Sequence, residues 1–342
     1  VKELYHEYPA GDIAHKQQPF LVEFNGSSPS LLEDMSRPIG YSIGIAVLFQ
    51  LAVFLFTPAH AAQIIDGIGR TVTVPATPCR VLALAPNLTE IVFELDRGDL
   101  LVGATQFSNH PAAAAQLPRV GSYIRPDIEK IVALKPDLCL ASKDGNPRHV
   151  VERIEQLGIS VFVVDPRNLE QIMTTVEQIG SLLGAKEAAR TITADIRQRR
   201  ARITEGLRKS SKRPTVFFQI DEAPMVSVGT DTFIHELITL AGGRNIAQGP
   251  VPYPRYNWED ILRMQPEVVI ITSMAGGRSA AELLASWRQW QQLPAVQHDR
   301  VYVVDANLFD RPTPRLIDGL EVLASLIHPE LFPARRGEQS GR

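Results

Sequence analysis

The chain has 342 residues, with 35 Lys and Arg against 38 Asp and Glu and a formal net charge of −3. Its 44% hydrophobic and 21% charged content is globular rather than disordered or fibrous, and the length favours two domains over one core. The slight acidity gives no footprint for nucleic acid, and two cysteines, Cys79 and Cys139, are too few for a disulfide scaffold or a cysteine-rich zinc module.

Residues 1–34 are polar and aperiodic and read as an upstream extension, with translation starting at Met35. Ser36-Arg37, an apolar run from Ile39 to Phe56 and Ala59-His60-Ala61 then follow the order of a secretory signal peptide, with cleavage expected after Ala61. The alternative is an uncleaved anchor, for which Ile39–Phe56 is barely long enough. Ser42, Gln50 and two glycines weaken that alternative, and no cysteine follows the run to carry a lipid. After export the two cysteines have two readings: a disulfide, or two unpaired core thiols.

Beyond a small hairpin over Asp66–Pro75, short apolar strands alternate with amphipathic stretches, the pattern of a parallel sheet covered on both faces. Strands are expected near 81–85, 100–104, 137–141 and 161–165, with helices near 88–95, 127–134 and 148–157. One helix follows over Asn168–Leu183. A second, from Lys186 to about Lys209, is rich in Ala and Arg, with Gly206 a weak point near its end. At 1.5 Å per residue the second is roughly 36 Å long, the width of a small lobe, and it reads as a rigid rod between lobes. The later strands fall near 215–220, 267–272 and 301–304, with helices near 231–241, 258–264, 279–290 and 313–326.

The two halves echo each other. The segment from Pro126 through Glu129 and Pro136 to Ala141 has the layout of that from Tyr256 through Glu259 and Pro266 to Ile271, at a constant offset for Glu and Pro. Val161-Phe-Val-Val-Asp165 matches Val301-Tyr-Val-Val-Asp305. The expected fold class is α/β: two doubly wound Rossmann-like lobes with central parallel sheets, joined by the long helix, with a ligand cleft between them. The divisions are 1–61 for the extension and signal peptide, 62–166 for the first lobe, 167–211 for the helical linker, 212–334 for the second lobe and 335–342 for a flexible tail.

No catalytic signature is found in the exported part of the chain: from residue 62 on, Gly-x-Ser-x-Gly, a phosphate loop, His-Glu-x-x-His and Cys-x-x-Cys are all absent, and Gly40-Tyr-Ser42-Ile-Gly44 lies inside the apolar run of the leader. His110, His149, His235, His298 and His328 are dispersed, so no catalytic or metal residues are assigned. Open α/β sheets bind ligands beyond the C-terminal ends of their strands. Phe107, Tyr123, Tyr253, Tyr256 and the segment Asn307-Leu308-Phe309-Asp310-Arg311 fall at such edges and suit a flat, partly apolar ligand. Glu129 and Glu259 each stand in the first turn of a helix, where the dipole favours an acid, yet the dipole does not explain why both copies carry Glu there. One such Glu per lobe suits docking on arginines of a two-fold partner.

From about Gln63 to Phe332 the chain resembles the periplasmic substrate-binding proteins of ABC importers whose lobes are joined by a long helix, and which serve vitamin B12, siderophores and haem. Ala85-Pro-Asn-Leu-Thr-Glu90, Phe107-Ser-Asn-His-Pro111, Leu134-Lys-Pro-Asp137, Asp144-Gly-Asn146, Gly242-Gly-Arg-Asn-Ile246, Val251-Pro-Tyr-Pro254 and Phe309-Asp-Arg-Pro-Thr-Pro-Arg315 carry the resemblance. The last two favour the members that bind vitamin B12 (cobalamin). The resemblance implies a non-enzymatic periplasmic receptor with no cofactor, acting as a monomer, that takes a corrinoid such as cobalamin or cobinamide to an inner-membrane permease dimer.

By the same resemblance Glu129 and Glu259 dock on permease arginines. Tyr123, Tyr253 and Ser142 fall where that branch has cleft tryptophans, Phe107 where it has a hydrogen-bonding tyrosine, and Asn307 at an acidic contact within the ligand loop Asn307–Arg311. These departures leave cobinamide or another corrinoid fitting as well as vitamin B12 itself. Haem or a ferric siderophore is the alternative within the class, with Arg125, Lys143 and Arg255 as candidate cations. The alternative from another class is an exported chelatase-like enzyme acting on metal tetrapyrroles.

Overall fold

The computed structural model describes residues 61–272 and 277–333. The expected leader through His60 and the tail lie outside the described residues. Among the described residues no helix is long and apolar enough to cross a membrane. Strands β1 (Ala61–Ile65) and β2 (Thr71–Pro75) form an antiparallel hairpin. The expected cleavage point after Ala61 therefore falls on the first residue of a strand. The hairpin begins earlier than its turn signals suggested, because Asp66–Arg70 is the turn itself: Asp66 Oδ1 accepts the amides of Ile68 and Arg70 at 3.1 and 2.8 Å.

The first lobe follows as β3 (Val81–Ala83), α1 (Pro86–Glu94), β4 (Leu101–Ala104), α2 (Ile128–Leu134), β5 (Leu138–Ser142), α3 (Arg148–Gln156) and β6 (Ser160–Val164). Its four strands are parallel in the order β4-β3-β5-β6. Two helices come next, α4 (Leu169–Leu182) and α5 (Lys186–Leu207). The second lobe comprises β7 (Thr215–Gln219), β8 (Asp221–Glu222), β9 (Met225–Val226), α6 (Phe233–Leu240), β10 (Arg244–Asn245), β11 (Arg255–Tyr256), α7 (Trp258–Met264), β12 (Val268–Thr272), α8 (Ala280–Arg288), α9 (Pro294–Gln297), β13 (Val301–Val304) and α10 (Leu316–Ile327). Its parallel sheet runs β10-β7-β12-β13, the same order element for element. Strands β5, β7 and β12 are buried at every position, as a sheet covered on both faces requires.

The internal repeat holds at the level of single hydrogen bonds. Helices α2 and α7 are both seven residues long, capped by Asp127 and Asn257, whose side chains accept the amides of Lys130 and Asp260. Both end on a left-handed residue, Lys135 and Gln265, ahead of Pro136 and Pro266. The next residue in each lobe is an acid that ties down the start of the lobe's first strand. Asp137 accepts the amides of Cys79 and Arg80 at 2.8 and 3.0 Å, and Glu267 accepts that of Thr215 at 2.7 Å.

Where the sequence suggested one rod, the structure has a two-helix brace. Leu169, Ile172 and Met173 of α4 pack in the second-lobe core, while Val176 and Ile179 pack in the first-lobe core. Helix α5 makes the reverse crossing: Ala189 joins the first core, Ile196, Ile203 and Leu207 join the second, and Ile192 touches both. Helix α5 stops at Leu207, one residue past the weak point at Gly206, where a Cβ would sit 2.6 Å from the Phe332 ring. The three-stranded antiparallel ribbon β8-β9-β11 escapes sequence reading because each strand is two residues long. Both cysteines are free, but only Cys139 is a core thiol. Its pKa is pushed to about 12, first by burial and then by Asp137, whereas Cys79 is exposed.

Candidate functional site

The loop after β4 carries Phe107, a large apolar residue that is 46% exposed. Polar contacts hold that loop rigidly from below. Thr89 of α1 donates to Ser108 Oγ at 2.9 Å, Ser108 pairs with Thr105 at 3.1 Å, and Arg119 donates to the carbonyls of Thr105 and Ser108 at 2.8 and 2.9 Å. Tyr123 meets the Phe107 ring edge-on, with centroids 5.7 Å apart. The Tyr123 carbonyl accepts from Asn146 Nδ2 at 2.8 Å. The same buried amide also bonds Leu84 O, and its oxygen accepts from Ser142 N. The aromatic pair is thus fixed through its backbone, with Phe107 left partly exposed.

On the second lobe, the loop bearing Tyr253 is laid against the chain after β9. Ser227 N donates to Pro254 O at 3.0 Å and Gly229 N to Pro252 O at 2.7 Å. The approach is so close that a Cβ on Gly229 would lie 1.9 Å from Val251 O, so only glycine fits. Tyr253 lines a cavity of about 20 Å³ with Ser142, Asp144, Asp165 and Arg167 of the first half and Thr232 and Pro312 of the second. Burial pulls the Arg167 guanidinium down, but the charges of Asp144 and Asp165 outweigh it and leave the group above its usual value. Lys143, expected to serve an anionic chelate, is paired with Asp165 at 3.1 Å.

The segment 307–311 divides by residue. Asn307 is half-buried, and Asp305 Oδ1 accepts from both its backbone and side-chain nitrogens at 2.9 Å. Leu308 leans on the second-lobe core. Phe309 corrects the expectation that it faces a ligand: it ends the short helical turn Ala306–Leu308 and is fully buried in the second-lobe core, edge-on to Phe218 with centroids 5.6 Å apart. Burial raises the Asp310 carboxyl to about 7, with Arg311 opposing and Asp305 adding to the shift. Arg311 reaches across to the first lobe, where Nη1 meets Glu90 Oε1 at 2.5 Å and Nη2 donates to Phe107 O at 3.1 Å. Arg315 meets the other Glu90 oxygen at 3.3 Å.

From the sequence alone Glu90 has no assigned role. The available signal was an acid set among Leu88, Ile91 and Val92 on a helix whose neighbouring side chains are core. Glu129 and Glu259 occupy the second position of α2 and α7 and are both exposed; Glu259 has Arg263 one turn on at 3.3 Å. Among the described residues no group of three or more His, Cys, Asp and Glu is arranged to hold a metal ion.

Comparison with known proteins agrees with this geometry. Residues 81–308 match the family model described as periplasmic binding protein. A vitamin B12-binding protein of Vibrio cholerae is 33% identical over 255 residues, covering 72% of this chain and 88% of that protein. The crystal structure of the periplasmic vitamin B12 binding protein of Vibrio cholerae superposes with a TM-score of 0.67 at 31% identity, covering 75% of this chain and 98% of that one. A periplasmic heme binding protein from Pseudomonas aeruginosa gives 0.65 at 27% identity, covering 74% and 93%. A family match over more than half of the chain, together with the paired lobes and the cleft between them, leads to one conclusion: the chain belongs to the periplasmic binding proteins, as the substrate-binding component of an ABC importer and not an enzyme.

Proposed function

We propose that the protein captures a corrinoid between its lobes in the periplasm and delivers it to an inner-membrane permease, after export by a signal peptide cleaved behind Ala61. The observations that support the ligand class are the fixed Phe107–Tyr123 pair on the first lobe, Tyr253 on the second, and cations at the lobe junction that are already neutralised. Arg311 and Arg315 are committed to Glu90, Arg167 to Asp144 and Asp165, and Lys143 to Asp165. A flat, amide-rich and largely uncharged ring system matches such walls better than an anionic chelate does. The similarity to proteins that bind vitamin B12 supports the same reading.

One observation favours the second reading, haem or a ferric siderophore. Arg125 and Arg255 stand two residues after Tyr123 and Tyr253, both exposed and at equivalent places in the repeat, where they suit two anionic groups. Calorimetric titration of residues 62–342 with cyanocobalamin, cobinamide, haem and a ferric siderophore separates the readings. Binding of a corrinoid at micromolar or lower concentration is expected, and silence with both corrinoids refutes the proposal. Glu129 and Glu259 are the proposed permease contacts. Replacing both with Ala is expected to abolish stimulation of the permease ATPase while ligand affinity stays unchanged; a fall in affinity contradicts that assignment.

A further inference from the structure

Glu90 lies mid-way along α1, and its carboxylate is wholly buried. Both of its oxygens are taken by guanidinium groups from the other lobe, 221 and 225 residues away in sequence. Arg311 and Arg315 are themselves largely enclosed, at 13% and 18% side-chain exposure. A buried ion cluster gains little over apolar packing, because desolvation of the charges offsets their attraction. What it supplies instead is direction: two planar forks accept one carboxylate in few geometries, so the lobes are registered against each other at this point.

The register has a local target. The other arm of Arg311 donates to the Phe107 carbonyl, while Thr89, the residue before Glu90, donates to Ser108 in the same loop. A single turn of α1 therefore grips the Phe107 loop twice, once directly and once through the opposite lobe. We propose that Glu90 is a positioning residue for ligand capture: by orienting Arg311 across the lobe junction it sets the place of Phe107 and the separation of the two lobes. The inference rests on the cleft being the ligand site, as proposed above, and its test has one readout that needs no ligand.

Wild type, Glu90→Gln, Glu90→Asp, Arg311→Gln and the double variant Glu90→Gln with Arg311→Gln are compared well below their melting temperatures, with far-UV circular dichroism as the fold control. In small-angle scattering of the ligand-free proteins, Glu90→Gln increases the radius of gyration over wild type; an unchanged radius overturns the proposal. Against cyanocobalamin, Glu90→Gln weakens binding at least tenfold, chiefly by faster dissociation, and Glu90→Asp recovers most of it. The double variant is no weaker than either single one, because both act through the same contact. Wild-type affinity in Glu90→Gln, or losses that multiply in the double variant, overturn it. If Glu90→Gln does not fold, Arg311→Gln carries both readouts. Failure of wild type to bind cyanocobalamin refutes the corrinoid reading instead and leaves the scattering result to judge Glu90.

Discussion

The two lobes share one frame and differ in what is attached to it. Both have the same sheet order, a side-chain-capped seven-residue helix with an exposed Glu at its second position, and an acid, Asp137 or Glu267, tying down the first strand. The first lobe adds a hairpin before its sheet, and the second adds the ribbon β8-β9-β11, which carries the Tyr253 loop. Their aromatic edges are held by different devices: the side chains of Asn146, Arg119 and, from the opposite lobe, Arg311 at the first, and backbone bonds against Gly229 and its neighbours at the second. A duplicated scaffold thus keeps its folding rules while its aromatic edges diverge.

That contrast is most open to attack at Gly229. Gly229→Ala places a methyl group inside van der Waals contact of Val251 O, and is expected to cost about 2–4 kcal/mol in urea denaturation and to weaken ligand binding by displacing Tyr253. Unchanged stability would mean that the Tyr253 loop is not held as described. The shared frame is tested by the matched pair Asp137→Ala and Glu267→Ala, each expected to lose about 1–3 kcal/mol by leaving strand-initiating amides unbonded. A large loss in one lobe with none in the other would contradict their equivalence.

Asp310 sharpens the difference through pH. Its carboxyl stays protonated in the folded chain up to about 7, whereas in the unfolded chain it ionises near its ordinary value. The unfolded state therefore binds fewer protons between those values, and this group lowers stability as pH rises from about 4 to 7, with no further change above. Asp310→Asn is expected to be more stable than wild type at pH 8, by on the order of 2 kcal/mol, with the gap closing toward pH 4 in thermal melts. A constant gap across that range would contradict the buried-acid account. The smallest effect concerns the thiols: at pH 8 a thiol reagent is expected to modify Cys79 and spare Cys139 until the chain unfolds, as counted by mass spectrometry.

Much of this architecture was legible because it is written in local signals. The Glu129–Pro136 and Glu259–Pro266 echo marks two helices and strands by cap, dipole and stop residues that act within a few positions. What stayed hidden depends on distant partners. Glu90 reads as one acid in an apolar helix until the fold brings Arg311 and Arg315 to it, and Phe309 shares its segment with the cleft residues while its ring enters the core. The ribbon strands are too short for any period to show. The length of α5 marks it as a rod in the sequence, whereas the share of α4 in the brace shows only when its buried residues divide between two cores.

The central claim is that rings from both lobes close on one planar ligand. Its most direct test is calorimetric titration of the mature chain with cyanocobalamin beside Tyr123→Ala, Tyr253→Ala and the double variant. The account predicts one-to-one binding by wild type, a loss in each single variant and a loss on the order of 100-fold in the double. Affinity that survives both substitutions would contradict it.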